Sequence, residues 1–386
     1  MRTIAALLLV GLGVVPAGPA FADDDHGAVQ VRPGQSIQSA VDRAEPGDTV
    51  IVAPGRYREA GRPCPSDPTH VCAVVVTRSG ITLRAQGDDG RRVVLENAGH
   101  QDQGIAVAKP GASGASCLTD PDQRLRHARV EGFTVNGFGG EGIFLLCVDD
   151  WVVAHNATQD DAEYGIFPSH SRRGRVTHNV ATGANDTGIY VGQSSDVRVD
   201  HNLATGNVSG FEIENSSGVV LRHNRAVGNT GGILSFALPF LDVKSNHDNV
   251  VADNQVLANN KANTCLDPSD DVCQVPSGTG ILVLAADRNL VRSNEVRDNH
   301  SFGVGTANYC VATGLSAAKC AALDIDPNPD ANQVRHNTVL GNGLAPDPSL
   351  PSVFAVDLAW DLSGAGNCWS ANRAGTTFPS SLPACA

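Results

Sequence analysis

A repeat of 22 or 23 residues runs through the middle of this 386-residue chain. Each copy contains a glycine followed by an apolar residue, and an insertion separates the earlier copies from the later ones. The copies are Gly142-Ile143, Gly165-Ile166, Gly188-Ile189, Gly210-Phe211, Gly232-Ile233, Gly280-Ile281 and Gly303-Val304. A fixed period of this length is typical of a solenoid, in which each repeat stacks on its neighbours. The period therefore predicts stacked coils.

A second apolar strand in each repeat ends in a pair of polar turn residues. In the first four repeats this pair is His-Asn, and the His follows the glycine by 13 residues. Alternation in segments such as Val197-Arg198-Val199-Asp200 places one file of side chains inward and one in water, which is the periodicity of a strand. The turn asparagines, for example Asn202 and Asn207, are expected to hydrogen-bond from coil to coil.

The four aligned histidines allow two interpretations. They are His155, His178, His201 and His223. A row of imidazoles could bind a metal or take part in catalysis, whereas a residue that recurs in every coil serves what every coil needs. A catalytic or metal-binding residue is expected at one place in the chain, where it departs from the repeat. Because these histidines recur in every one of the four coils, we interpret the row as part of the scaffold.

The N-terminus has the features of a secretory signal. Arg2 precedes an apolar run over residues 4–15, and Ala20-Phe21-Ala22 forms a small-residue cleavage site. The run is too short to span a bilayer, and we expect a secreted (extracellular or periplasmic) monomer with no membrane segment after signal removal. We expect four segments: a signal peptide at 1–22, an N-terminal cap and first coil at 23–60, a parallel β-helix with disulfide-closed insertions at 61–345, and a C-terminal coil or cap at 346–386.

The cap has a recognisable pattern. Residues 35–44 form a short amphipathic helix with Ile37, Ala40, Val41 and Ala44 on one face, followed by the strand 49–52. A polar-faced cap of this kind blunts the first edge of an open β stack.

Ten cysteines fall into local pairs. Nearest neighbours would join Cys64 with Cys72, Cys117 with Cys147, Cys265 with Cys273, Cys310 with Cys320 and Cys368 with Cys385. Sequence alone does not fix connectivity, so other pairings stay open. A zinc site is disfavoured because no Cys-x-x-Cys or Cys-His cluster has metal-ligand spacing, and disulfides in an oxidising compartment explain the even count.

The formal net charge of −13 makes nucleic acid an unsuitable partner. The same acidity argues against a polyanionic glycan, unless a cation or a local basic patch mediates contact.

Two motifs follow the amphipathic segment 31–41 near the N-terminus. They are Pro46-Gly47-Asp48-Thr49-Val50 and Pro54-Gly55-Arg56-Tyr57. With residues 31–41 they are similar to the N-terminal segment of many secreted members of the pectate-lyase-like right-handed parallel β-helix superfamily, which the chain resembles. A closer similarity, to an uncharacterised family of secreted parallel β-helix repeat proteins, is carried by residues 164–166, 186–194, 212–216 and 231–234. The resemblance implies an all-β right-handed parallel β-helix. It implies no single reaction, because this fold hosts lyases, hydrolases, epimerases and adhesins.

Departures from the repeat are the places to look for chemistry. Phe167 and Tyr190 share an outward file with Glu212, and Glu214 leaves the same face two residues later. Aromatic faces beside carboxylates suit a sugar, since rings stack on C–H faces and acids move protons. The two carboxylates lie roughly 7 Å apart along the strand, which is within the range that inverting glycosidases use. The alternative is a solvated β face with ordinary cross-strand packing.

A second candidate is the segment 169–173. His170 could act as acid or base, and Arg172 and Arg173 could neutralise a uronate beside Gln193 of the next coil. A solvated turn is the alternative. Mannuronan C5-epimerases of this fold place Asp-Pro-His after a Tyr-Gly-x segment, but here Phe167 stands where the acid should be, so epimerisation is disfavoured.

Two insertions, at 235–249 and 261–277, are expected either to form a wall beside Glu212 and Glu214 or simply to shield the sheet. Calcium could take oxygens from Asp267, Asp270 and Asp271 or from Asp149 and Asp150, but no calcium-specific loop motif occurs, and we expect neither metal nor other cofactor. The sequence favours a secreted carbohydrate-active enzyme, a polysaccharide lyase or glycoside hydrolase. The alternative is a non-catalytic glycan-binding or cell-surface structural module.

Overall fold

A computed structural model describes residues 27–87 and 93–386, so the predicted signal peptide lies outside the described residues. The chain winds through three long sheets, each built by parallel pairing of equivalent strands from successive coils. A parallel strand connection of this kind is right-handed. The fold class predicted from the repeat, a right-handed parallel β-helix, is confirmed.

Sheet A contains the strands that precede the His-Asn turns. They are Ala28–Val31, Thr49–Val52, Thr82–Ala85, Arg129–Glu131, Val152–Ala154, Arg175–Thr177, Arg198–Asp200, Val220–Arg222, Val250–Ala252, Leu290–Arg292, Gln333–Arg335 and Cys368–Ser370. Sheet B contains the strands that follow those turns. They are Gly55–Tyr57, Val93–Glu96, Thr134–Asn136, Ala157–Gln159, Val180–Thr182, Leu203–Thr205, Arg225–Val227, Gln255–Leu257, Glu295–Arg297, Thr338–Leu340 and Arg373–Ala374.

Sheet C contains the strands of the Gly-apolar repeat. They are Arg62–Pro63, Val71–Val76, Gln103–Val107, Glu141–Leu146, Tyr164–Ser169, Thr187–Gly192, Ser209–Glu214, Gly231–Phe236, Thr279–Leu284, Phe302–Ala307, Leu358–Trp360 and Thr377–Phe378. Arg62–Pro63 pairs antiparallel with its neighbour, whereas the other pairings in this sheet are parallel. A small two-stranded sheet joins Leu125–Arg126 to Val148–Asp149.

Short helices interrupt the coils or cap them. The α-helices are Ile37–Arg43, Gly114–Thr119, Tyr309–Ala312 and Ala317–Cys320, and the 3-10 turns are Pro121–Gln123, Asp271–Gln274 and Ser352–Phe354. No helix among the described residues is long and apolar enough to cross a membrane.

The repeat is explained by the packing of sheet C. The apolar residue after each glycine forms an in-register core file that runs from Ile143 through Ile166 and Ile189 to Val304, and these residues are almost fully buried. The glycine is required by close backbone approach: a Cβ on Gly165 would lie 2.6 Å from the carbonyl oxygen of the next coil's glycine. The repeat therefore encodes a dry core and tight coil spacing.

Asparagine ladders hold the coils in register. In the longest ladder each side-chain amide donates to the side-chain oxygen of the next coil's asparagine at 2.9–3.2 Å; the members are Asn156, Asn179, Asn202, Asn224, Asn254, Asn294, Asn337 and Asn372. Each of the first seven also donates to a buried backbone carbonyl of the preceding coil, as Asn202 does to Val176. The predicted coil-to-coil amide bonds are confirmed.

The histidine row belongs to the same turn. His155, His178, His201 and His223 have φ near +56°, a left-handed conformation that few residues with side chains adopt. The rings of His155, His178 and His201 stack with centroids 5.0 Å apart, and the ring of His223 is tilted against that of His201 at 5.2 Å. The row sits on the A–B edge, away from the face of sheet C, in agreement with its interpretation as scaffold.

The predicted cap helix is present but slightly shorter. It spans Ile37–Arg43, because Ser36 accepts a hydrogen bond from the Ser39 amide and so caps the first turn. The predicted face, including Ile37, Ala40 and Val41, is buried in the core.

All ten cysteines form disulfides, and the five pairings are those that nearest-neighbour spacing suggested. The Cys117–Cys147 bond fastens the helix Gly114–Thr119 to the end of a sheet C strand. The Cys265–Cys273 and Cys310–Cys320 bonds each close a loop onto itself. These three disulfides therefore stabilise a helix and two loops that are not part of the repeating coils.

Replacing a mid-ladder asparagine tests the ladder. Asn202→Ala leaves buried amide and carbonyl groups of two coils without partners, and we expect the free energy of unfolding to fall by about 2–5 kcal/mol. Chemical denaturation measures this loss. His201→Asn, next to it, keeps a residue that tolerates positive φ and should change stability by less than about 1 kcal/mol. Equal losses in both variants would contradict the ladder's role.

Candidate functional site

An open cleft of about 1270 Å³ lies on the outer face of sheet C. The earlier coils of this face are covered by the helix Gly114–Thr119, whose Cys117 packs with Phe144 and Leu146. Over the later coils, the insertion 261–277 and the short helix Tyr309–Ala312 rise on either side. We call the space between these covers the sheet C cleft. It is larger than the roughly 300–1,000 Å³ of most small-molecule pockets, and so has room for an oligomer.

The floor of the cleft comes from the outward files of sheet C. Glu212 and Glu214 stand at one end of it, and the apolar floor continues through Leu234, Phe236 and Leu282 on the next coils. Because residues two apart on a strand leave the same face, the pair of glutamates predicted from the sequence does face this cleft.

The two insertions behave differently. The insertion 261–277 supplies one wall, including Asp270, Asp271 and Val275. The insertion 235–249 lies mainly along the adjoining turn, where Asn215 donates its side-chain amide to the carbonyls of Leu238 and Val243 at 2.9 and 2.6 Å. Only its first residues, among them Leu238, reach the cleft.

Carboxyl groups cluster at the end of the cleft, and one of them accepts a hydrogen bond from a tyrosine that is not part of the cleft lining. The Tyr190 hydroxyl donates to Glu214 Oε1 at 2.7 Å. Tyr190 lies over Gly192, where a Cβ would clash with its ring and hydroxyl. Asp186, in the turn before the strand Thr187–Gly192, accepts a hydrogen bond from the Thr187 hydroxyl at 2.9 Å and lines the cleft beside Glu212.

Burial makes these carboxyls weak acids. Desolvation, reinforced for Glu212 by the charge of Asp186, raises the pKa of Glu212 well above its usual range. Desolvation likewise raises the pKa of Glu214 to about 7, although the Tyr190 hydrogen bond opposes the rise. The pKa of Asp186 is raised to about 6, again mainly by burial. Carboxyls that titrate near neutrality in one cleft can supply both an acid and a base.

The two aromatic residues predicted to stack on a sugar instead pack on each other. Phe167 and Tyr190 meet edge to face with centroids 4.4 Å apart, and Tyr164 stacks on Phe167 at 4.4 Å. Tyr190 is only 4% exposed, and neither Phe167 nor Tyr190 lines the cleft. The helix Gly114–Thr119 completes this packing, and the repeat pattern gives no sign of it.

The predicted polar residues of the adjoining turn also lie outside the cleft. His170 is buried, with Nδ1 2.8 Å from the Ser169 hydroxyl and Nε2 3.1 Å from Asp242, and burial lowers its pKa. Gln193 accepts hydrogen bonds from the backbone amides of residues 242 and 243, so it holds the insertion. The structure does not bring these residues to Glu212.

Arg172 and Arg173 are likewise outside the cleft lining. Arg173 is paired with Asp150 at 2.7 Å and lies 3.5 Å from Asp149, one coil earlier. Asp149 is itself held by the buried Arg124. The carboxylates of Asp149 and Asp150 are thus both paired with arginines.

Sequence reasoning missed Asp186 and Tyr164. Asp186 and Glu163 occupy the same turn of successive coils, directly before the sheet C strands, and the Asp186 amide donates to the Glu163 carbonyl at 3.1 Å. An acidic residue repeated at this turn was the available signal. The charge of Asp270, on the wall 261–277, adds to the rise in the pKa of Asp186, and the repeat does not describe that wall.

Metal donors are poorly arranged in the part of the chain that the structure describes. It contains no group of three or more His, Cys, Asp or Glu side chains suited to a metal ion. Every cysteine is in a disulfide, and the only methionine in the sequence is Met1. The stacked histidines run parallel along the A–B edge and do not converge on a point.

The three-sided parallel coil and its sheet C cleft define the class of protein, a right-handed parallel β-helix. Within that class, a family model described as periplasmic copper-binding protein (NosD) matches residues 78–271 and 126–346, together more than half of the chain. The chain belongs to the NosD family. No curated protein sequence matches it.

Solved structures share the fold at low sequence identity. The A-module of the Azotobacter vinelandii mannuronan C-5 epimerase AlgE4 is 16% identical, with a TM-score of 0.58, over 87% of this chain and 91% of that one. The periplasmic alginate epimerase AlgG is 14% identical, with a TM-score of 0.57, over 89% and 72%. DFA-IIIase from Arthrobacter chlorophenolicus A6 is 14% identical, with a TM-score of 0.56, over 93% and 82%. At these identities the likeness establishes the fold.

The raised pKa of Glu214 has a measurable effect on stability. A carboxyl that is a weaker acid when folded favours the folded state at low pH, and this contribution is lost as pH rises from about 4.5 towards about 7. Glu214→Gln removes the titration, so the fall in unfolding free energy over this interval should shrink by on the order of 1–3 kcal/mol. Chemical denaturation across the interval measures it.

Glu45→Gln, at an exposed glutamate outside the cleft, serves as the control and should leave the pH dependence as in the parent chain. If Glu214→Gln and Glu45→Gln give the same pH profile, Glu214 does not titrate as described.

Proposed function

We propose that this chain is a secreted or periplasmic carbohydrate-active protein that hydrolyses a polysaccharide in the sheet C cleft. The observation that carries the proposal is the group of weakly acidic carboxyls at the end of an open cleft, of which Glu212 is buried and Asp186 and Glu214 are half-buried. Five disulfides suit an oxidising compartment, and the family description includes the word periplasmic. The epimerases that share the fold act, by their names, on mannuronan and alginate.

We assign the roles from the surroundings of each carboxyl. Glu212, whose pKa is raised well above its usual range by burial and by the charge of Asp186, acts as the general acid that protonates the leaving oxygen. Asp186, with a pKa of about 6, acts as the base that activates water. Glu214, tied to the Tyr190 hydroxyl, lies beside them and supports the developing positive charge on the sugar.

Hydrolysis suits this cleft better than lysis. A lyase abstracts the proton beside a uronate carboxylate and needs a cationic group to stabilise the charge that develops there. Among the described residues that line the cleft there is no Lys, Arg or His. Arg173 is paired with Asp150 elsewhere.

Copper plays no part in the proposal. The family description names it, but the sequence offers no free thiol and no thioether beyond Met1, which are the soft ligands that copper(I) prefers. The stacked imidazoles of His155, His178 and His201 are parallel rather than convergent. The donor set described above does not fit a copper centre.

Activity on a panel of polysaccharides tests the proposal. We expect new reducing ends without absorbance from unsaturated uronates. Glu212→Gln should lower kcat by about 100-fold or more, since it removes the general acid. Glu131→Gln, on sheet A outside the cleft, is the matched control and should retain full activity.

Two results would contradict the proposal. Turnover that persists in both Glu212→Gln and Asp186→Asn would remove the assigned residues from the reaction. Binding of a polysaccharide without products in either assay would instead support a non-catalytic glycan-binding module, which the apolar floor of Leu234, Phe236 and Leu282 would also serve.

The pH dependence provides a further test. Activity should fall on the acid side as Asp186, with a pKa of about 6, takes up a proton. The Tyr164 hydroxyl lowers that pKa, so Tyr164→Phe should move the acid limb of the kcat/KM profile to higher pH. A limb that does not move would exclude Asp186 as the base.

A further inference from the structure

The floor of the sheet C cleft extends farther on one side of the carboxyls than on the other. From Glu212 and Glu214 it continues over four further strands and ends at Ala359 and Asp361. Neighbouring strands lie about 4.8 Å apart, so this long side measures roughly 19 Å. In the other direction the lining ends on the strand of Tyr164, two strands back, which makes a short side of roughly 10 Å.

Packed side chains close the end of the short side. Tyr164 stacks on Phe167, and the ring centroids of Phe167 and Phe144 are 5.5 Å apart. Phe144 is 7% exposed, because the helix Gly114–Thr119 covers it, and the disulfide of Cys117 holds that helix on the coils. A polymer that lies along the floor therefore cannot continue beyond Tyr164 across the face of sheet C.

The long side offers aromatic side chains at its far end. Phe302 lines the floor, and its ring occupies the space beside Gly305, where a Cβ would come within 2.8 Å of it. Tyr309 and the half-buried Phe354 also line this end. Aromatic rings suit the C–H faces of sugars, so this end can hold a part of the substrate that does not react.

We propose that the sheet C cleft cleaves polysaccharides from a chain end. A short terminal segment of the polymer occupies the short side, and the rest of the chain lies over the long side as far as Phe302 and Phe354. The closed end of the short side then sets the length of the released product. This inference rests on the proposed function and specifies where along a polymer it acts.

The chemistry of each cut is that of the proposed hydrolysis. The bond between the anomeric carbon and the bridging oxygen breaks. Water gives its hydroxyl to the carbon and a proton to Asp186, while Glu212 gives a proton to the bridging oxygen. The polymer leaves over the long side one terminal segment shorter.

The size of the products over time tests the inference. The probes are xylan, a β-1,3-glucan, amylose and polygalacturonate, each incubated with the full mature chain. We expect a single short product of constant length from the earliest time points, and a slow loss of viscosity for each bond broken. Early release of fragments of many intermediate lengths would overturn the inference, because it requires cuts far from a chain end.

Binding of tagged oligomers tests the closed side without turnover. Oligomers of the same four glycans, longer than the floor, carry a bulky fluorescent group at one end or at the other, and Glu212→Gln prevents cleavage. We expect the group at one end to weaken binding by about tenfold or more, because the closed short side excludes it. The group at the other end should be tolerated. Equal effects of the two tags would overturn the inference.

The aromatic end provides the matched variants. Phe354→Ala should weaken binding of long oligomers by about three- to tenfold, because it removes a ring that contacts sugars. Oligomers too short to reach it should bind as before, which also shows that loss of the contact between Phe354 and Phe378 has not damaged the cleft. Phe240→Ala, at an exposed phenylalanine outside the lining, should change neither. An equal loss for short and long oligomers in Phe354→Ala would contradict the long side.

The outcomes separate this inference from the proposed function. Hydrolysis by internal cuts would overturn the inference alone and leave hydrolysis in the cleft intact. Binding that discriminates between the two tags, without any product, would uphold the one-sided cleft and overturn hydrolysis. Neither binding nor hydrolysis of any probe would overturn both.

Discussion

Hydrogen bonds between stacked asparagine amides fix the register of this molecule, and the arrangement of its surface depends on that register. Parallel strands alone could slide by two residues and keep their buried faces. The ladder removes this freedom, because each amide must meet the oxygen of the next coil while it also satisfies a backbone carbonyl. Tyr190 therefore stands directly beside Glu212, and Gly192 beside Glu214, in adjacent strands.

The repeat itself made much of the fold predictable. Three features of the sequence are local: a glycine before a core residue, an asparagine at each turn and short spacings between cysteines. Each of them determines its own structural role in a coil without help from distant segments. The capping helix was predictable for the same reason, since Ile37, Ala40 and Val41 need only the first coil to bury them. Glu212 and Glu214 were placed correctly on one face because strand alternation is geometric.

The site was less predictable because its surroundings come from segments without periodicity. Tyr190 is buried by packing within an aromatic group that the helix Gly114–Thr119 borders, and that helix precedes the first copy of the Gly-apolar repeat. The pKa of Asp186 is raised mainly by burial, and the charge of Asp270, on an insertion distant in sequence, adds to the rise. Arg173, by contrast, pairs with Asp150 one coil away, a spacing of 23 residues that the repeat period could have indicated.

The coils and the loops of this molecule are stabilised differently, because the disulfides at the cleft act on the loops. The coils are joined by hydrogen bonds and core packing, whereas the loops at the cleft are closed within themselves, with cysteines only 8 residues apart in 265–273 and 10 apart in 310–320. Each of these loops is closed by its own disulfide and does not depend on the other. Their length and sequence can therefore vary during evolution without disturbing the stacked coils, so that one scaffold can be adapted to new ligands by exchange of loops.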